Sequence, residues 1–253
     1  MSRPIGRTLA LSLSRRFVVD LLWAARKIDA VTFERRMNLA QLIAARQESA
    51  VRPGWCAIFT KAYALVSARR PELRRAYLSF PWPRLHESAG NIAAIAIERR
   101  LDGEDAVLIA HQRDPEQRSL VEIESWLRYC RQAPPEQVGS FRRILQLSRL
   151  PRPVRRLAWF LGLNWGRQRE RCLGTFGVSV TAGLGATALG VRAPITTILH
   201  YGIFEPEGSI DVRLTFDHRV LDGGTVARAM RELEDTLHGE ILSELRKDIP
   251  RAA

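Results

Sequence analysis

Residues 217–224 read Asp217-His218-Arg219-Val220-Leu221-Asp222-Gly223-Gly224, and the segments flanking this octapeptide decide the fold. Upstream, residues 209–217 (SIDVRLTFD) alternate apolar Ile210, Val212, Leu214 and Phe216 with polar neighbours, the period of a half-buried strand. Continuing that alternation puts His218 on the covered face. Downstream, Val226, Met230, Leu233, Leu237 and Ile241 recur three or four apart, as on one face of a helix. Gly223 and Gly224 allow a sharp turn between the two elements. An imidazole thus sits at a strand end, with the carboxylate of Asp222 four residues on. An inward imidazole with one nitrogen held by the chain can present the other to a substrate proton. A lone histidine at a strand end also serves as a plain structural residue.

The octapeptide resembles the DHRxxDG signature of the catalytic domain of 2-oxoacid dehydrogenase acyltransferases, and the wider HxxxDG motif of chloramphenicol acetyltransferase and its relatives. Other stretches are similar in family order. Residues 174–180 (GTFGVSV) resemble the GTFTIS strand, 91–97 (NIAAIAI) the NIGIAV strand, and 118–130 (RSLVEIESWLRYC) the following KSLxEIAxEI helix. Residues 59–73 (FTKAYALVSARRPEL) resemble the helix that ends in HPEL. The resemblance implies an α/β fold of the chloramphenicol acetyltransferase type, a two-layer sandwich of a mixed sheet with helices packed on it.

At 253 residues and 46% hydrophobic content the chain can bury one substantial core, so residues 1–253 are read as a single catalytic domain. The longest apolar runs, such as 157–161 (LAWFL), are too short to span a bilayer. The brief LALSLS near the start lacks a cleavage site and is not read as a signal peptide. Cys56, Cys130 and Cys172 fit neither a disulfide framework nor a zinc site, which favours a reducing cytoplasm. The net charge of +12 is carried almost wholly by arginine, since only Lys27, Lys61 and Lys247 are lysines. Such charge attracts coenzyme A phosphates, an acidic carrier or phospholipid. No nucleic-acid module is recognisable.

Along the chain, a strand is expected over 30–36 and a helix over 38–46. A second helix runs from near Trp55 to before Pro71, and strands cover 91–97 and 106–110 about the turn Leu101-Asp102-Gly103. Ser119 with Glu122 forms a capping box for a helix whose apolar stripe is Leu120, Ile123, Leu127 and Cys130. Strands follow over 175–181, with Ser179 on the face opposite Phe176 and Val178, and over 195–204, where His200 and Tyr201 are read as structural.

Residues 136–171 exceed the family's shorter link and form a basic amphipathic insertion with nine arginines, divided by Pro151 and Pro153 into two short helices. One reading is a lid packed on the core. The other is a surface that docks on a membrane or an acyl-carrier partner.

The resemblance implies acyl transfer between a thioester, coenzyme A-linked or carrier-bound, and a thiol, hydroxyl or amine acceptor. His218 would be the general base and Ser179 the oxyanion donor, with Thr181 as the alternative donor. Asp222 would hold the loop through an upstream arginine, Arg26 being the candidate, and Asp217, Arg219, Gly223 and Gly224 would also structure it. No metal and no tightly bound cofactor are called for; coenzyme A enters as co-substrate. The family further implies a homotrimer or higher assembly whose sites lie between subunits, so that His218 and Ser179 come from neighbouring chains. Without lipoyl domains or linkers of its own in this sequence, the chain is expected to act alone or on a lipoyl domain in trans. The alternative is a non-catalytic trimeric scaffold or membrane-docking protein, cytoplasmic or membrane-peripheral, that works through the arginine-rich insertion.

Overall fold

The computed structural model describes residues 6, 8–101 and 103–247. Asp102, at the tip of one expected turn, lies outside the described residues. Ten segments build the sheet and its main helical layer. They are β1 (Ala30–Asn38), α2 (Ala40–Glu48), α3 (Trp55–Arg69), β4 (Ile92–Leu101), β5 (Glu104–Arg113), α4 (Leu120–Gln132), β6 (Phe176–Val178), β7 (Thr197–Tyr201), β8 (Ser209–Asp217) and α8 (Gly223–Thr236). Before and among these lie α1 (Leu13–Ala25) and a small hairpin of β2 (Arg75–Leu78) and β3 (Arg84–Glu87). The six-stranded sheet has the order β1-β8-β7-β6-β4-β5 and is mixed: β6 runs parallel to β4 and β7, and the other pairs are antiparallel.

The core lies between this sheet and the helices α3, α4 and α8. Phe59 stacks on Tyr201 at 4.3 Å and Tyr63 meets Phe176 at 4.9 Å, pinning α3 to β7 and β6. The stripe read along α8 is buried in full, from Val226 to Ile241, the last turn passing through a π-helical segment, Leu237–Ile241, into α9 (Leu242–Lys247). The Ser119–Glu122 capping box of α4 forms as read.

Strand β8 departs from the half-buried reading. Arg213, Thr215 and Asp217, its polar residues, are buried as well. They tolerate burial because each is partnered: Thr215 Oγ1 lies 2.8 Å from Thr32 Oγ1 and 3.1 Å from His200 Nε2, Arg213 pairs with Glu34, and Asp217 pairs with Arg219. Strand β6 is shorter than the expected 175–181, because after Ser179 the chain leaves the sheet for a tight turn at Ala182–Leu184.

The insertion holds three helices rather than two: α5 (Gly139–Arg149), α6 (Arg152–Asn164) and α7 (Gly166–Leu173). Pro151 caps α6 as the sequence suggests, but the second break needs no proline. Asn164 ends α6 while its Oδ1 accepts from Phe80 N–H (2.9 Å) and Ser79 Oγ–H (3.1 Å), fixing the link between β2 and β3. Phe141, Ile144, Leu145 and Trp159 are buried, so the insertion packs as a lid beside α1 over the outer face of β5. The lid is clasped by an ion pair. Asp20 of α1, 1% exposed, accepts from Arg155 Nε at 2.6 Å, and Arg156 lies 3.3 Å from its second oxygen. Helix α6 nevertheless leaves Val154, Leu157, Phe160 and Leu161 exposed, next to exposed Trp165.

Candidate active site

The turn after β8 is built around Asp217. Its N–H donates to Thr196 O (2.9 Å), and its own carbonyl accepts from Val220 and Leu221 (3.0 and 3.2 Å), closing the turn. The carboxylate, 0% exposed, accepts from Arg219 Nε (2.9 Å), Arg219 Nη2 (2.7 Å) and Arg219 backbone N–H (3.1 Å). That hydrogen-bonded pairing raises the Arg219 pKa, and the guanidinium lies 4.5 Å over the ring of Tyr77. Arg169 of α7 stands behind the pair. It donates to Pro194 O (3.1 Å) and Leu163 O (3.3 Å). Burial pushes its pKa down to about 10, opposed by the charge of Asp217.

His218 rides on this turn, its N–H donating to Asp29 O (3.1 Å) and its ring 5.7 Å from that of Phe216. Its side chain is exposed, not covered as the alternation predicts. The reason is local: β8 stops at Asp217, and strand parity does not survive the turn. Asp222 occupies the N-cap position of α8 with extended backbone and an exposed side chain that makes no cap bond. The ion pair expected with Arg26 does not form, because the Arg26 guanidinium lies over Trp23, 5.3 Å from the ring centroid. Gly223 and Gly224 do not form the turn itself; they open α8. Gly223 is favoured for a different reason: a Cβ there would fall 2.7 Å from Phe33 Cζ, so that ring would have to move.

Ser179 follows β6, on the other side of β7 from β8. Its N–H donates to Leu199 O (3.1 Å), one residue beyond the last pairing of β6 with β7. Its side chain faces a cavity of about 160 Å³ between the sheet and the lid. Thr181 Oγ1 instead donates to Ala186 O (2.9 Å) in an exposed loop, outside that cavity. Asp217 and Ser179 therefore hold β7 at Thr196 and Leu199, three residues or ~10 Å apart along it, from strands on its two sides. Among the described residues, no hydrogen bond joins His218 to Ser179 within one chain. Arg169, Tyr77 and Asp29, which hold the turn, carry no motif of their own; the arginine content of 136–171 was the only signal pointing near them.

No protein-family model matches the chain, and no curated protein matches its sequence. Solved structures do match its fold. The dihydrolipoamide acetyltransferase of Azotobacter vinelandii superposes with a TM-score of 0.67 at 17% identity, over 97% of this chain and 99% of that one. The cubic core of a pyruvate dehydrogenase multienzyme complex gives 0.63 at 18%, with 97% and 99% covered. A chloramphenicol acetyltransferase gives 0.51 at 15%, with 90% and 96% covered. The chain thus has the fold of the dihydrolipoamide acetyltransferase cores and of chloramphenicol acetyltransferase, a six-stranded mixed sheet with packed helices.

Proposed function

We propose that this protein is an acyltransferase that moves an acyl group between a thioester, coenzyme A-linked or carrier-bound, and a thiol, hydroxyl or amine. The observation that carries the reading is the His218 turn: an exposed imidazole set on the ion pair of buried Asp217 with Arg219. The imidazole takes the proton of the attacking S–H, O–H or N–H as the nucleophile adds to the acyl carbonyl, a step for which a positioned base contributes roughly a hundredfold or more. The new oxyanion accepts a hydrogen bond from a Ser179 hydroxyl, worth ~3 kcal/mol from a preorganised donor. Collapse expels the first leaving group, which regains the proton from the imidazolium. Since His218 and Ser179 are apart in one chain, the site is completed by a second copy in a symmetric assembly, a trimer being our choice. The fold neighbours named for acetyl transfer support the chemistry. So does the study of a serine, and of a histidine and an asparagine four positions apart, in the catalytic mechanism of the Azotobacter enzyme; His218 and Asp222 share that spacing. Release of thiol from a panel of acyl coenzyme A thioesters, with dihydrolipoamide, alcohols and amines as acceptors, tests the proposal. Turnover abolished by His218→Ala supports it, and no turnover with any pair overturns it.

A second reading belongs to the insertion. The exposed stripe of Val154, Leu157, Phe160, Leu161 and Trp165 is bordered by exposed Arg149, Arg152 and Arg167, which fits an anionic membrane surface. No described helix is long and apolar enough to cross a membrane. Binding to phosphatidylglycerol vesicles but not to phosphatidylcholine vesicles, lost in Leu157→Asp/Trp165→Asp, is the expected result; a scaffold role would leave it intact in His218→Ala with no turnover.

A further inference from the structure

The cavity beside Ser179 has a plan that follows from the strand register. On the outer face of the sheet, Ala94 of β4 lies between His111 of β5 and Gly177 of β6, and Ala96 pairs with Ile109. Small side chains on adjacent strands leave a hollow, which Phe17 and Leu21 of α1, Ile144 of α5 and Leu173 of α7 roof over. Ser179 and the carbon-rich side chains of Val178, Ile195 and Ile198 complete the wall. We propose that this hollow seats the acyl chain of the thioester, and that the protein favours a saturated chain of about six carbons over acetyl, an inference that rests on the acyl-transfer reading.

Three observations fix the occupant. The volume, about 160 Å³, is close to the roughly 150 Å³ apolar cavity that admits benzene, a six-carbon guest. Ser179 lines it and shares its strand face with Gly177, so an acyl oxygen held by that residue directs the chain inward. The interior carries no fixed charge: burial pushes the His111 pKa down to about 4, leaving the imidazole neutral at pH 7. The one arginine of the lining, Arg192, is exposed. A dicarboxylic acyl group would place its second carboxylate beside an uncharged imidazole and apolar side chains, with no fixed cation, and is disfavoured.

The test measures binding and turnover separately. Dissociation constants of acetyl, butyryl, hexanoyl and decanoyl coenzyme A are measured by calorimetry on the full His218→Ala protein, and kcat/KM for the same series on the wild type. Each fully buried methylene strengthens binding by roughly fourfold, a ceiling of about 250-fold for the four that separate hexanoyl from acetyl; even partial burial should make hexanoyl coenzyme A bind at least about tenfold tighter than acetyl coenzyme A, with decanoyl no better. Ala96→Leu should bring the hexanoyl-to-acetyl ratio near one, and Ala96→Val, the gentler change, should lower it partway with an unaltered melting temperature. Equal binding of acetyl and hexanoyl thioesters, or a ratio untouched by both variants, overturns the proposal. A chain-length preference in binding without turnover by the wild type sustains the cavity assignment and overturns the catalytic reading instead.

Discussion

Ser179 and Asp217 hang from the same strand: the N–H of one donates to Leu199 O at 3.1 Å and that of the other to Thr196 O at 2.9 Å. Strand β7 therefore acts as a spacer that sets the anchors of the two residues three positions, ~10 Å, apart along it and on strands to either side. If both serve one reaction, they meet across a subunit boundary. Ser179→Ala and His218→Ala should each lower kcat strongly. Mixing the two variants under conditions that exchange subunits should then restore up to about a quarter of wild-type activity, because one site in four regains both groups in a cyclic assembly. Mixtures no better than either parent would place both groups in one chain's site or leave one of them out of it.

The Asp217–Arg219 pair bears on stability and on the aim of His218 together. Arg219→Met leaves a fully buried carboxylate with the backbone N–H of residue 219 and the charge of Arg169 as its remaining support. Loss of one partner of a buried pair is strongly destabilising; with Arg169 compensating in part, we expect about 2–3 kcal/mol by urea unfolding. Asp217→Asn/Arg219→Met together should cost less than the sum of the single changes.

Gly223 tests packing rather than backbone freedom. A methyl group there meets the ring of Phe33, which itself sits edge-on to Phe216 at 5.4 Å. Gly223→Ala should destabilise by about 1–3 kcal/mol, the usual range for overpacking, and displace the start of α8 with its Asp222. Phe33→Leu in the same chain should recover most of the loss, read as a rise in melting temperature over the single variant.

What the sequence disclosed follows from how local each signal is. The α8 stripe, the Ser119–Glu122 cap and the β8 strand are written in neighbouring residues, and their elements were found with correct bounds or nearly so. The extent of β8 burial was hidden, because the partners that make buried Arg213 and Asp217 tolerable come from Glu34 and from the turn. His218 was misplaced for the same kind of reason: alternation describes a strand only while the strand lasts. The break between α6 and α7 depends on Asn164 reaching back to residue 80, and α1 was not foreseen although Ser12 caps it. The register that opens the cavity beside Ser179 is a property of three strands from separate parts of the chain.

Buried imidazoles set an acid limit. Burial, reinforced by Arg143, pushes His111 from 6.5 down to about 4, and burial lowers His200 as well. Between pH 6.5 and about 4 the unfolded chain binds a proton at His111 that the folded chain does not, so stability rises with pH across this interval and is lost as the pH falls through it. The full loss, reached below about pH 4, amounts to roughly 3 kcal/mol for His111 alone. His111→Gln should flatten the dependence of the urea midpoint between pH 7.5 and 4.5; an unchanged slope would show that His111 does not titrate this way.

Within the lid, α5 is attached by apolar packing and α6 by charge together with the single core residue Trp159, and that difference is measurable. Phe141 and Ile144 of α5 lie in the core, whereas α6 is tied to α1 through Asp20, whose carboxylate faces both Arg155 and Arg156. Asp20→Ala leaves the buried guanidinium of Arg155, 8% exposed, with only Leu150 O as an acceptor. Two outcomes are open to such a charge: unfolding of the whole chain, or outward movement of α6 alone. Since the Phe17–Trp159 contact at 6.2 Å and the Arg156 guanidinium, 4.0 Å from the Trp23 ring centroid, are the aromatic links left between α1 and α6, local release costs less than global unfolding. The expected signature is trypsin cleavage after Arg155 or Arg156 at least about tenfold faster than in the wild type at low protease concentration, with the cooperative melt of the remaining core retained. Cleavage confined to other regions, or spread over the whole chain, would show that the clasp supports the entire fold instead of the lid.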